Sequence, residues 1–158
     1  MPSALEPLTS LELSRGFAAR LEGADANLQR VEQMSVQSEL GAVEGVAEID
    51  GYVIGTAYSS RFRDKAAYRS SVETTVVVDP DHQGRGIGRL LLAAVLDAIA
   101  SEGLHRAYAI VTIPNEASIG LHESLGYRLV GTLDEVGYKL GTYWATAILE
   151  KSIESDGS

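Results

Sequence analysis

Six residues in the middle of the chain, Gln83-Gly84-Arg85-Gly86-Ile87-Gly88, carry the densest chemical signal. Glycines at alternate positions let successive backbone N–H groups turn toward one point, because no Cβ blocks the approach. A strand-like run, Val72 to Val78, precedes them, and a long amphipathic pattern follows. The partial positive charge at the start of such a helix adds to those amides, so the turn suits a phosphate or pyrophosphate. Arg85 and Arg89 can add charge-assisted contacts at its rim. A plain strand-to-helix turn with no ligand has the same spacing, and the glycines alone do not separate the two.

Several familiar chemistries fall at once. A P-loop needs Lys followed by Ser or Thr after its last glycine, and Ile87-Gly88-Arg89 stands there instead. The dinucleotide fingerprint needs glycine at the position of Arg89. A nucleophile elbow on Ser124 needs glycine two residues earlier, where His122 lies. The chain has no cysteine, hence no thiolate nucleophile, disulfide framework or cysteine zinc site. His82, His105 and His122 include no i,i+4 pair, so no metal is expected.

Thirteen Lys and Arg face 22 Asp and Glu, a formal charge of −9. Such a field repels a phosphate backbone, so no nucleic-acid partner is expected. From Arg61 to Arg69 the balance turns locally basic, with Arg61, Arg63, Lys65 and Arg69 against Asp64. An anionic ligand is therefore held by local donors, not by the overall field. No apolar run approaches the ~20 residues that span a bilayer, and the N-terminus lacks a basic-then-apolar signal. The expectation is a cytoplasmic, soluble chain with no membrane partner.

At 158 residues the chain fits one domain. Residues 8–33 have helical spacing in Leu8, Leu11, Leu13, Phe17, Ala18, Leu21 and Leu28, so 1–44 reads as an N-terminal helical segment. Residues 45–151 read as the core of the same domain, and 152–158 as a polar tail. Asp50-Gly51 between two β-rich runs signals a hairpin. Residues 60–71 form a basic loop of functional length. Val72 to Val78 reads as a buried strand stopped at Asp79-Pro80, followed by a helix from about Leu90 to Gly103. Ala107 to Ile113 reads as a strand, Ala117 to Leu125 as a short helix closed by Gly126, and Tyr127–Val130 and Tyr143–Leu149 as two further strands. This order makes an α/β (α+β) domain with a mixed central sheet flanked by helices. Within the first of those strands Glu73 is costly to bury unless paired or lining a cleft, and burial would raise its pKa toward that of a useful base. An outward-facing strand acid is the alternative.

The series Gln83 to Gly88 after Asp79-Pro80, Pro114-Asn115-Glu116-Ala117-Ser118, Leu121 to Tyr127, Gly131-Thr132, Val136 to Gly141 and Tyr143-Trp144 resembles the GNAT superfamily of N-acetyltransferases. Within it, the chain is similar to the phosphinothricin and methionine-sulfoximine acetyltransferase branch over about residues 45–150. The resemblance implies a GNAT-like fold with a shortened N-terminal region, acetyl-CoA as co-substrate, no metal, and a homodimer through C-terminal strands.

Roles follow residue by residue from the resemblance. Gln83, Gly84, Arg85, Gly86, Ile87, Gly88 and Arg89 would hold the pyrophosphate, and the backbone of Val76, Val77 and Val78 the pantetheine amides. Asn115, with Ser118 in the same motif, would meet the pantetheine arm, although an Asn after Pro114 is also a helix cap. Glu73 would be the catalytic base and also face the substrate. His122 would protonate the departing thiolate, and its imidazole suits proton transfer near neutral pH; a helix-surface histidine is the other reading. Phe62 and Arg63 would grip the acceptor's carboxylate, for which a guanidinium is suited, or belong to a solvated loop. Tyr127 would pack beside the cofactor, and Trp144 with Tyr138 would line the acceptor pocket or simply pack. The implied function is direct acetyl transfer to the primary amine of a small amino acid or amino-acid-like compound. Acetylation of a protein or peptide N-terminus, and a CoA-binding module without turnover, are the alternatives.

Overall fold

The computed structural model of the chain describes residues 33–39 and 42–153. These residues make seven strands, β1 (Gln33–Glu39), β2 (Ala42–Ile49), β3 (Tyr52–Arg61), β4 (Ser71–Val78), β5 (Arg106–Ile113), β6 (Arg128–Lys139) and β7 (Thr142–Ser152), and two α-helices, α1 (Ile87–Ser101) and α2 (Glu116–Ser124). All the strands join one mixed sheet in the order β1-β2-β3-β4-β5-β7-β6. Neighbours run antiparallel except β4 and β5, which are parallel and connected through α1. The α/β expectation therefore holds.

Local chemistry accounts for the elements. Asp50 and Gly51 both take positive φ, 52° and 79°, as a two-residue hairpin turn requires, and Ile49 pairs directly with Tyr52. In α1 the apolar stripe of Leu91, Leu92, Val95 and Ile99 is fully buried, and the helix packs across β2, β3 and β4. Each such side chain contributes about 1.5–3 kcal/mol relative to exposure. Asn115 Oδ1 caps α2 by accepting from the Ser118 N–H at 3.1 Å. At the other end Gly126, with φ of 90°, lets the Tyr127 N–H return to the His122 carbonyl at 3.1 Å.

Three elements differ from the expectation. The helical pattern over residues 8–32 lies outside the described residues, but 33–39 and 42–44 are strand, so the segment to residue 44 is not helical throughout. Polar and apolar residue types alternate through Gln33-Met34-Ser35-Val36-Gln37, a period of two that breaks the helical spacing of the residues before it. The strand expected over Tyr127–Val130 extends to Lys139, because irregularities between Leu129 and Gly131 and between Leu133 and Gly137 absorb the acidic pair Asp134-Glu135. Strand β7 likewise continues through Ser152, and Ile153 is buried with its N–H on the His105 carbonyl at 2.9 Å, so the polar tail begins later than residue 152.

Gly88 sits where α1 meets both β4 and α2. A Cβ there would stand 2.9 Å from Leu121 Cδ1 and 3.3 Å from Val78 Cγ2, closer than side chains ordinarily approach. Gly88→Val must therefore displace the ends of the Leu121 and Val78 side chains that pack against it. It is expected to cost about 1–3 kcal/mol of overpacking, read as a lower urea midpoint with an unchanged slope.

Candidate functional site

The parallel ladder between β4 and β5 is short. It joins Ser71 to Arg106, Val72 to Ala107 and Glu73 to Tyr108, and then ends. Strand β4 goes on pairing with β3 as far as Val78, and β5 with β7 as far as Ile113. Past Glu73 the strands form a fork whose two backbone edges face each other without a shared ladder. Backbone amides away from water need partners, so a fork of this kind favours an extended ligand that carries amides of its own. The backbone expected to do this, at Val76, Val77 and Val78, lies along one prong.

At the end of that prong the chain turns into α1. Asp79 accepts from the Asp81 N–H at 2.8 Å, and Gln83 Nε2 donates back to the Val78 carbonyl at 3.2 Å. Gly84 and Gly86 have φ of 76° and 78°, a region that L side chains disfavour. Around Gly84 nothing lies within 4 Å of where a Cβ would stand. Gly86 caps α1 with no side-chain hydrogen bond, so the first-turn amides are left to a ligand or to water. The open turn, bare amides and helix N-terminus together fit a diphosphate. Gly84, Arg85 and Gly86 are exposed there, whereas Ile87 and Gly88 are buried and serve packing with their side-chain positions. Arg89 donates through Nε to Ser124 Oγ at 3.2 Å, which ties α1 to α2.

Glu73 faces away from α1. In β4 the residues Val72 and Thr74 are buried on the helix side, and Glu73 alternates with them on the opposite face, half-buried. It stands in register with Ser60 of β3 and Tyr108 of β5. Phe62 stacks on Tyr108 with centroids 4.4 Å apart and meets Tyr68 edge-on at 6.2 Å. The Arg63 guanidinium lies 5.1 Å from the centroid of the Phe62 ring. An open depression of about 670 Å³ is lined here by Arg61, Phe62, Arg63, Asp64, Lys65 and Tyr68. The fold thus brings a carboxylate, a guanidinium and an aromatic stack to one side of the sheet at the base of the fork. Sequence reasoning missed Tyr108 and Tyr68. For Tyr108 a signal exists: Ala107, Ala109 and Val111 form the buried face of β5, which turns Tyr108 to the other side.

His122 is enclosed, at 2% exposure, and does not lie on the helix surface. Its Nδ1 is 2.7 Å from the Ser118 carbonyl. A carbonyl only accepts, so Nδ1 carries the proton of the neutral ring. Burial pushes the imidazole below its ordinary value of 6.5, and the hydrogen bond to the Ser118 carbonyl opposes this in part. Nε2 is buried with no partner among the described residues. The ring meets Tyr127 edge-on at 5.0 Å. Asn115 has committed Oδ1 to the helix cap, which leaves its amide N–H groups for a ligand. Trp144 donates to the Lys139 carbonyl at 2.9 Å and Tyr138 packs on Tyr143, so both belong to the β6–β7 hairpin and neither lines the depression.

The chain is 54% identical over 101 residues to a phosphinothricin N-acetyltransferase of Streptomyces coelicolor, a match that covers 64% of this chain and 59% of the relative. It is 35% identical over 109 residues to an L-methionine sulfoximine/L-methionine sulfone acetyltransferase of Salmonella typhimurium, covering 69% and 64% of the two. The chain thus spans about six tenths of the length of these curated relatives. A phosphinothricin acetyltransferase of Sinorhizobium meliloti, solved in complex with acetyl-CoA, superposes with a TM-score of 0.68 at 30% identity, over 88% of this chain and 69% of that one. Residues 11–127 match the acetyltransferase (GNAT) family, and the chain belongs to that family.

Proposed function

We propose that the chain transfers an acetyl group from acetyl-CoA to the primary amine of a small amino acid or amino-acid-like acceptor. The observation that carries the reading is the fork between β4 and β5, with an amide-lined turn at one end and, at the other, Glu73 paired with Tyr108, on which Phe62 stacks. The substrate names of the relatives support the acceptor class. Acetyl-CoA supplies an acyl group already activated as a thioester. Gly84, Gly86 and the first turn of α1 hold its diphosphate, and Arg85 adds charge at the rim. The backbone of Val76 to Val78 takes the amides of the arm, and the Asn115 amide meets the same arm near Ser118. Arg63, propped on the Phe62 ring, binds the acceptor's carboxylate. Glu73 takes the proton of the attacking amine. Holding both reactants together supplies much of the rate.

His122 stands beside the arm on α2. With Nδ1–H committed to Ser118, the ring exchanges protons only at Nε2, and its neutral form is an acceptor there. To protonate a thiolate it must first gain a proton at Nε2. Protonation is disfavoured in the fold, so the stability held by the neutral ring is present above 6.5 and is lost as pH falls through the lower folded value. An NMR titration is expected to place the His122 midpoint below 6.5, and His122→Phe to flatten the loss of stability on the acid side.

Charge on Glu73 is the central requirement. Glu73→Gln keeps shape but cannot accept the proton, so turnover is expected to fall roughly 10²–10⁴-fold in a CoA-release assay. Acetyl-CoA affinity by calorimetry should barely change. The acceptors to test are amino acids, phosphinothricin and methionine sulfoximine. Full turnover of Glu73→Gln on an accepted amine would remove the base from this reading.

A cytoplasmic homodimer completes the proposal. Among the described residues β6 is an edge of the sheet, and its hairpin with β7 exposes Tyr138 at 67%, Leu140 at 86% and Tyr143 at 61%. Apolar area of this kind on an edge hairpin suits a second copy. Sedimentation at micromolar concentration is expected to give a two-chain mass, and Tyr138→Glu with Leu140→Glu a one-chain mass.

A further inference from the structure

Where the backbone ladder ends, side chains take over the closure of the fork. Thr74 Oγ1 donates to the Tyr108 carbonyl at 3.3 Å, one step beyond the last ladder pair. It also lies 2.7 Å from Tyr127 Oη. A hydroxyl has one proton, and the carbonyl can only accept, so Thr74 spends its proton on Tyr108 and Tyr127 donates into Thr74. The chain Tyr127 Oη–H to Thr74 Oγ1–H to Tyr108 C=O thus has a fixed direction. Both side chains are enclosed, Thr74 at 2% and Tyr127 at 4% exposure. The other end of Tyr127 is fastened to α2, through its N–H on the His122 carbonyl at 3.1 Å and its ring against the His122 imidazole.

The strut therefore spans from the end of α2 to the point where two strands part. What it holds there is specific. Thr74 follows Glu73 in β4, and Tyr108 is the residue paired with Glu73 across the ladder and the one under the Phe62 ring. A three-residue parallel ladder has little to stop its last pair from fraying. With β3 and β7 holding the outer edges of the two strands, the hydroxyl bridge adds a contact across the gap at that last pair. We propose that Tyr127 and Thr74 are positioning residues that set the opening of the fork and hold Glu73 and Tyr108 in their working places. This rests on the reading of Glu73 as the base, but the strut itself is a matter of geometry.

The test is a double-mutant cycle on the full chain, with Tyr127→Phe and Glu73→Gln, singly and together, and kcat measured for acetyl transfer to the best acceptor. Tyr127→Phe keeps the ring and removes only the hydroxyl. It is expected to lower kcat roughly 10- to 100-fold in the Glu73 background, as misplacement of a catalytic group does. In the Glu73→Gln background it should lower kcat less than about 2-fold, since the base it positions is already disabled. Acetyl-CoA affinity should shift little, because the diphosphate turn lies at the far end of the fork. Thr74→Val should reproduce the loss, and Thr74→Ser, which keeps the hydroxyl, should retain more activity than Thr74→Val. Independently of activity, hydrogen exchange at the amides of Glu73 to Thr75 and Tyr108 to Ile110 should quicken in Tyr127→Phe, while those of β7 stay slow. An equal loss of kcat in both backgrounds, or unchanged exchange at the fork, would overturn the strut. Full activity of Glu73→Gln, or no turnover on any amine, would instead count against the acetyl-transfer reading, and the exchange result would then decide the strut alone.

Discussion

A parallel ladder that stops after three residues leaves two strand edges that must find other partners. The rest of the molecule is arranged around that demand. On one side β3 holds β4 straight as far as Val78, and on the other β7 holds β5 as far as Ile113, so the prongs cannot collapse by bending. Above them Gly88 lets α1 lie close to Val76 and Val78 of β4, and its first turn, capped by Gly86, has no side-chain hydrogen bond. Below, two hydroxyls close the base. Donor groups at the far end and a carboxylate at the near end are consequences of one interrupted pairing.

The electrostatics are local in the same way. A chain of formal charge −9 presents a field that opposes anions, yet its proposed ligands are anionic. Amides at a helix start and one guanidinium on an aromatic face act over a few ångströms, where screening and distance remove most of the remote acidic charge. Arg63 lies over the Phe62 ring, which is itself stacked on Tyr108; a lysine on the same loop would be a point charge without that stack.

Much of the fold was legible in residue types. Asp50-Gly51 marked its turn, because few other pairs tolerate two positive φ values in succession. The stripe from Leu91 to Ile99 marked α1, and Asn115 and Gly126 marked both ends of α2. Strand β6 was only half legible: Asp134 and Glu135 look like a loop, and it is a bulge, with Glu135 at φ of 51°, that carries them along the sheet. At the site, the open glycine turn was legible by type and spacing, whereas Glu73 read from spacing only as a strand acid and took its role from the resemblance. The fork could not, because the end of a ladder leaves no residue signature. Tyr108 lies 46 positions from Phe62, a contact that periodicity cannot report. Nor could spacing tell an enclosed His122 from an exposed one; its partner, the Ser118 carbonyl, has no sequence identity.

The basic loop hangs between β3 and β4, two strands whose register is fixed over seven residue pairs from Gly55–Val78 to Arg61–Val72. Its length and side chains can therefore drift without disturbing the sheet, the glycine turn or the interrupted ladder. The half of the molecule that faces the fork's far end and the half that faces the depression answer to different parts of the chain. Gene duplicates of such a protein can diverge in what they recognise on one side by loop change alone, while the other side is inherited intact.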